Sequence, residues 1–191
     1  MRVSLTILAT IAALFAGASA GAKPRAYLLD AEKSKVQFGY SMMGQTNTGT
    51  IPIDTAKLTL DLQNISNSTA TVSLNADGTQ AGVIFATNAL KSASVFDTAT
   101  YPTIVFHSTR FTPHGTGATV AGTLTLRGVT QPLVLDAQIY RQTGTDTGDL
   151  SRLSVLLTGT LNRSAFGATG YAESVADAVS LRILVRLTRA D

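Results

Sequence analysis

The feature that most restricts what this chain can fold into is a period of two. Near the C-terminus Val179, Leu181, Ile183, Val185 and Leu187 fall on one side of an extended backbone, and Ser180, Arg182, Arg186 and Thr188 fall on the other; Leu184 is the exception. Successive side chains of a strand point to opposite faces, so this alternation marks a strand with one face buried and one in water. The spacing recurs in Val36, Phe38 and Tyr40, in Leu58, Leu60 and Leu62, in Val72 and Leu74, and in Ile104 and Phe106. It recurs again in Val120, Leu124 and Leu126, in Leu133, Leu135 and Ile139, and in Leu153, Val155 and Leu157. Eight strands are expected, with a short extra one near Ile51 to Ile53.

Turn chemistry separates the strands: NISNST after Leu62, PHGTG from Pro113, RGVTQP around Gly128 and QTGTDTGD from Gln142. Connections this short join antiparallel neighbours, and the set makes a two-sheet sandwich or a closed barrel. Periodicity does not separate the two. Eight-stranded barrels are about the size at which an interior is filled by side chains or holds one small ligand. One segment breaks the rhythm, Gly82 to Asp97, where Thr87 is placed to cap a short helix from Asn88 to Val95 across one end of the sheet.

The N-terminus reads differently. Residues 1–20 have a basic start at Arg2, an apolar run from Leu5 to Gly17 and the small residues Ala18-Ser19-Ala20, the three parts of a secretory signal peptide. Its apolar run is shorter than the roughly 20 residues a membrane-spanning helix needs. Residues 21–191 are then expected to form one exported domain, with a bacterial periplasm as the fitting location. The sequence has no cysteine, so the fold is held by packing and no cysteine carries a lipid anchor. The 15 Lys and Arg against 12 Asp and Glu are scattered rather than clustered, which argues against nucleic acid as a partner.

Chemistry-bearing motifs are missing. There is no Gly-x-Ser-x-Gly elbow, no His-Glu-x-x-His and no glycine loop for phosphate. His107 and His114 are the only histidines, and HSTRFTPH supplies no third ligand at metal-site spacing. No metal, no resident cofactor and no enzymatic activity are expected; a hydrolase would have to depend on His107.

Three stretches carry a resemblance: ALKSASVFDTATYPTIVFHS (89–108), VAGTLTLRGVTQPLVL (120–135) and LNRSAFGATGY (161–171). With LLDAEKSKVQFGY near the start of the domain, the chain resembles the YceI-like family of exported polyisoprenoid-binding proteins along nearly all of residues 21–191. The resemblance implies an all-β fold, an extended antiparallel eight-stranded lipocalin-like barrel with a short helix near one end. It also implies an apolar interior that takes a long isoprenoid or quinone tail, and often a homodimer. The chain departs from the family pattern twice: Lys33-Ser34 stands where a His-Ser pair is usual, and Thr87-Asn88 where an Arg-Asp pair is usual.

On this footing the expected function is that of a periplasmic carrier for a polyprenyl compound or quinone, with transient membrane contact. The alternative is a packed barrel without a cavity, an accessory protein whose outer surface docks a membrane redox partner. Phe38, Tyr40, Phe106, Leu124, Leu126 and Leu135 are the candidate cavity lining; otherwise they fill a dry core. Phe85 and Phe96 flank the expected helix and either close a mouth or pin the helix to the sheet. Met42 and Met43 offer a flexible thioether portal or a plain loop contact. In NRSAFG, Arg163 and Phe166 are candidate ligand contacts, the guanidinium suiting a diphosphate or quinone oxygen. The other reading of Arg163 pairs it with Asp97 or Asp177.

A transfer argument frames the binding reading. Burying a chain of about 40 carbons at roughly 0.8 kcal/mol per methylene would exceed the ceiling of about 18 to 21 kcal/mol for non-covalent complexes. The relevant reference is therefore a membrane, between which and an apolar lumen the net difference is small and reversible.

Overall fold

The computed structural model describes residues 24–146 and 148–190; the expected signal peptide, residues 1–20, lies outside the described residues. Among the described residues the strands are β1 (Arg25–Leu29), β2 (Lys35–Met42), β3 (Gln45–Ile51), β4 (Ile53–Leu60), β5 (Thr69–Asn75), β6 (Thr103–His114), β7 (Gly117–Leu126), β8 (Val129–Arg141), β9 (Arg152–Asn162) and β10 (Ala178–Arg189), with one α-helix, α1 (Ile84–Lys91), between β5 and β6.

Ten segments occupy eight positions. β10 pairs with β1 through Leu187 and Leu29 and with β2 through Leu184 and Lys35, so β1 and β2 lie end to end along it. Between them Asp30–Ser34 forms an outward excursion. Ser34 Oγ donates to the Asp30 carbonyl at 2.6 Å and accepts from the Arg186 N–H at 2.9 Å, and Lys33 Nζ pairs with the Asp30 carboxylate at 2.8 Å. β3 and β4 likewise follow one path, interrupted at Pro52, which has no N–H for a ladder bond. β3 pairs with β2, and β4 with β1 and β5. From β5 to β10 each strand pairs antiparallel with the next, and β1 on β10 closes the ring. The fold is a closed eight-position antiparallel barrel, as expected; β1 and β3 are the segments that alternation did not mark. β1 buries only Tyr27, and β3, QTNTGTI, is polar over most of its length.

The alternating residues point inward as their period demands. Val179, Leu181, Ile183, Val185 and Leu187 of β10 all face the lumen, whereas Leu184 does not. Not every inward position is large. Phe38 lies flat against Gly49, its cross-strand partner, where an added Cβ would collide with the ring. Phe106 rests over Gly122, where a Cβ would come within 2.6 Å of the ring, and Leu135 over Gly159 at 2.7 Å. Large side chains thus lean on the wall rather than across the lumen, a packing of aromatics over sheet glycines that shapes barrels.

The helix corrects an expectation. It spans Ile84–Lys91 rather than Asn88 to Val95, because Gly82 at φ +85° turns the chain early and Val83 takes the cap position. Thr87 is not a cap: its Oγ1 donates back to the Val83 carbonyl at 2.9 Å and accepts from the Ala81 N–H at 3.0 Å. A threonine one turn into a helix has this local option.

Candidate functional site

The barrel encloses a cavity of about 810 Å³, well within the range of ligand pockets, roughly 300 to 1,000 Å³. Each of the eight strand positions contributes lining side chains, from Leu29 and Val36 round to Leu187. α1 and the segment after it add Phe85, Ala86, Ala89, Leu90, Val95 and Phe96 at the end where β2, β5, β7 and β9 finish. Of the candidate contacts, Phe38, Tyr40, Phe85, Phe96, Phe106, Leu124, Leu126, Leu135 and Arg163 line the cavity; Phe166 is buried beside it without lining it. Met42 and Met43 also line it. The alternative of a packed barrel is therefore not met: the inward residues surround a space rather than fill it, with wall glycines opposite Phe38, Phe106 and Leu135.

Polar groups in the lining are few and mostly satisfied. The Tyr40 hydroxyl donates to the Ala81 carbonyl at 2.8 Å, which ties β2 to the entry of α1, and burial raises its pKa. Among the described residues Arg163 is the one charged side chain in the lining. It stands in the tight turn Arg163–Phe166 that follows β9 and is buried. Its Nε donates to the Ala176 carbonyl at 3.1 Å, Nη1 to those of Ala168 at 2.6 Å and Gly170 at 2.7 Å, and Nη2 to that of Val175 at 2.9 Å. Guanidinium has five N–H donors; four are engaged, and one on Nη2 has no acceptor among the described residues. The carboxylate pairing envisaged for Arg163 is absent. Asp177 accepts instead from the Ser164 N–H at 2.8 Å and the Ser164 hydroxyl at 2.9 Å, and Asp97 makes no ion pair with Arg163 among the described residues.

Arg163 therefore clamps the loop 168–176 that forms part of the mouth. The loop is joined to β2 by the Met43 N–H to Ser174 carbonyl bond, 2.7 Å, and the Ala176 N–H to Ser41 carbonyl bond, 2.9 Å. Arg127, at the β7–β8 turn, adds a second staple by donating to the Gly167 carbonyl at 2.9 Å and the Ala93 carbonyl at 2.6 Å. The parts played by Arg127 and Ser174 were not read from the sequence. Both depend on long-range contacts with backbone, which leave no spacing signal.

The positions where the chain departs from the family pattern lie outside the cavity lining. Lys33 and Ser34 hold the excursion between β1 and β2, and Thr87 is spent on Val83 and Ala81. The histidines are on the outside: His107 Nδ1 lies 3.2 Å from Thr71 Oγ1, and His114 Nε2 lies 2.8 Å from Asp136. Among the described residues no group of three His, Cys, Asp or Glu could hold a metal ion, and no helix is long and apolar enough to cross a membrane.

A closed barrel around an apolar space of this size defines a binding protein for an apolar, lipid-like ligand. The chain belongs to the YceI-like family, whose domain model matches residues 27–187. It is 28% identical over 143 residues to Protein YceI of an Escherichia coli strain, covering 74% of this chain and 75% of that protein. In fold it is similar to Burkholderia cenocepacia BcnA, with a TM-score of 0.75, 20% identity, and 83% of this chain and 99% of that one covered. A polyisoprenoid binding domain from Saccharophagus degradans, implicated in plant cell wall breakdown, is similar with a TM-score of 0.60, 17% identity, and 87% and 99% covered.

Proposed function

We propose that this protein is a non-enzymatic periplasmic carrier that solvates one long-chain isoprenoid lipid, a polyprenyl compound or a quinone, in its lumen. The observation that carries the reading is a cavity of about 810 Å³ whose lining, among the described residues, has a single charged side chain. Such a site offers a tail dispersion contacts and an escape from water, and offers no group arranged to make or break a bond. Phe38, Tyr40, Phe106, Leu124, Leu126 and Leu135 contact the tail in the lumen, with Phe85 and Phe96 nearer the helix end. The polar end of the lipid lies toward Arg163 and Ser174, near the mouth loop. The secretory features of residues 1–20 support export, and one barrel holds a complete lumen, so a homodimer is not needed for binding.

Exchange between a bilayer and this lumen is close to neutral, since one apolar environment replaces another. The test is uptake of polyprenyl alcohols of rising chain length from phosphatidylcholine vesicles. Uptake at one lipid per barrel, nearly independent of chain length until the chain outgrows the lumen and falling beyond that length, is the expected result. A folded protein that takes up none of the series overturns the proposal.

A further inference from the structure

Four side chains belong at once to the cavity lining and to the outer surface. Met43, Val83, Phe85 and Tyr171 line the lumen, yet they are 79%, 58%, 84% and 54% exposed. Ile84, 66% exposed, stands between two of them. They come from three segments held against one another: the β2–β3 turn, the loop 168–176 and the entry to α1. The first two are joined by the Met43 N–H to Ser174 carbonyl bond, and the third by the Tyr40 hydroxyl to Ala81 carbonyl bond. The mouth is thus rimmed by a collar of large apolar residues continuous with the apolar lumen.

Charge avoids this collar. No charged residue lies between Val36 and Ile53 or between Gly78 and Leu90; the loop 168–176 contributes Glu173, two residues beyond Tyr171. α1 buries none of its residues, so its exposed apolar side chains are not explained by packing. Single exposed apolar residues are ordinary, whereas a cluster at the opening of a cavity marks a surface of interaction.

We infer that the collar docks the barrel mouth-first on a lipid surface, with Ile84 and Phe85 entering the acyl boundary and Met43 and Tyr171 sealing the junction. This inference rests on the carrier reading, and the occupant follows from the cargo. A lipid tail that left a bilayer through water would meet an unfavourable cost that grows with every methylene, and a collar pressed into the bilayer gives it an unbroken apolar path. A soluble protein or a second copy on the same collar would cap the lumen without connecting it to the place where the lipid resides. Since the collar's five apolar side chains are uncharged, attachment comes from apolar burial and is insensitive to salt.

The test uses Ile84→Asp. Ile84 is exposed and outside the cavity lining, and a carboxylate at the first residue of a helix is favoured by the N-terminal N–H groups, so fold and lumen are retained. Leu28→Asp is the control, a residue 62% exposed on β1, paired with the end of β10 away from the mouth. Flotation with phosphatidylcholine vesicles reads docking, and the rate of uptake of a fluorescent polyprenyl lipid from those vesicles reads delivery. Wild type and Leu28→Asp are expected to float equally well in low and high salt. Ile84→Asp is expected to bind vesicles at least tenfold more weakly and to load at least tenfold more slowly, reaching the same final loading. Flotation and uptake by Ile84→Asp equal to wild type, loss of wild-type flotation in high salt, or a wild-type dimer that Ile84→Asp splits would each overturn the inference. Wild-type protein that floats through the collar and never takes up lipid would instead remove the carrier reading and leave the docking surface standing.

Discussion

Replacing Arg163 by methionine separates a mouth built by this residue from one merely decorated by it. The guanidinium donates four hydrogen bonds to carbonyls spread over residues 168–176. Bonds from a charged donor contribute about 1.5 to 3 kcal/mol each when the partner stays buried, but burying the guanidinium itself carries a desolvation cost of several kcal/mol that the substitution removes. The difference, together with carbonyls left partly unsatisfied, gives an expected loss of about 3 to 5 kcal/mol. That is a large share of the roughly 5 to 15 kcal/mol that holds a domain folded. Urea denaturation of the lipid-free protein measures the loss, and hydrogen exchange locates it. The N–H groups of Met43, Gly170 and Ala176 should lose protection while those in the middle of β7 and β8 keep it. Arg163→Lys should recover less than half of the loss, because one ammonium cannot reach carbonyls on both sides of a planar fork. Lipid-free stability within about 0.5 kcal/mol of wild type, the ordinary scatter for surface substitutions, would refute the clamp and leave Arg163 as a ligand contact alone.

Other substitutions probe the lumen, the helix and the carboxylates. Gly122→Val would set a Cβ against the His107 carbonyl as well as the Phe106 ring, so it should spread β6 from β7 and drive the ring off the wall into the cavity, at a cost of about 3 kcal/mol or more in stability. Its lipid affinity should fall at least tenfold in an equilibrium uptake assay. Tyr40→Phe removes the bond to the Ala81 carbonyl and should cost about 1 kcal/mol; faster amide exchange in α1 with the barrel strands unchanged would locate the effect. The Asp61 carboxylate is held below the ordinary range, first by the Asn64 N–H and then by the Asn67 side chain. A depressed native pKa contributes stability above the unfolded value, near pH 4, that is lost as pH falls through the native value. Urea titrations at pH 6 and in stronger acid should therefore show a decline that is smaller in Asp61→Asn.

The strands of the barrel were legible because the strongest of them obey a single period, whereas closure into a barrel rather than a sandwich came from the family resemblance. β10 shows this best, with five alternating apolar residues that all face the lumen and Leu184 as the one odd residue that does not. β1 and β3 escaped because their places are set by partners rather than by their own pattern. β1 is carried by the far end of β10, and β3 by β2, whose Phe38 needs the small Gly49 opposite. Whether the lumen is filled or hollow was not legible from alternation at all. The difference rests on Gly49, Gly122 and Gly159 lying across the wall from Phe38, Phe106 and Leu135, a matter of register between strands. The helix was placed in the right segment and started too late, since Gly82 can turn the chain without help from a side-chain cap. Arg163 was singled out as a ligand contact or else a partner of carboxylates; the protein partners it has are carbonyls, which every residue has.

The central claim is that the lumen solvates a single isoprenoid chain. Native mass spectrometry of the protein, purified without detergent and then incubated with vesicles containing a long-chain quinone or polyprenyl lipid, tests it most directly. The account predicts one discrete added mass per barrel, equal to that lipid and released by organic extraction. Folded protein that keeps its bare mass through the same incubation would contradict it.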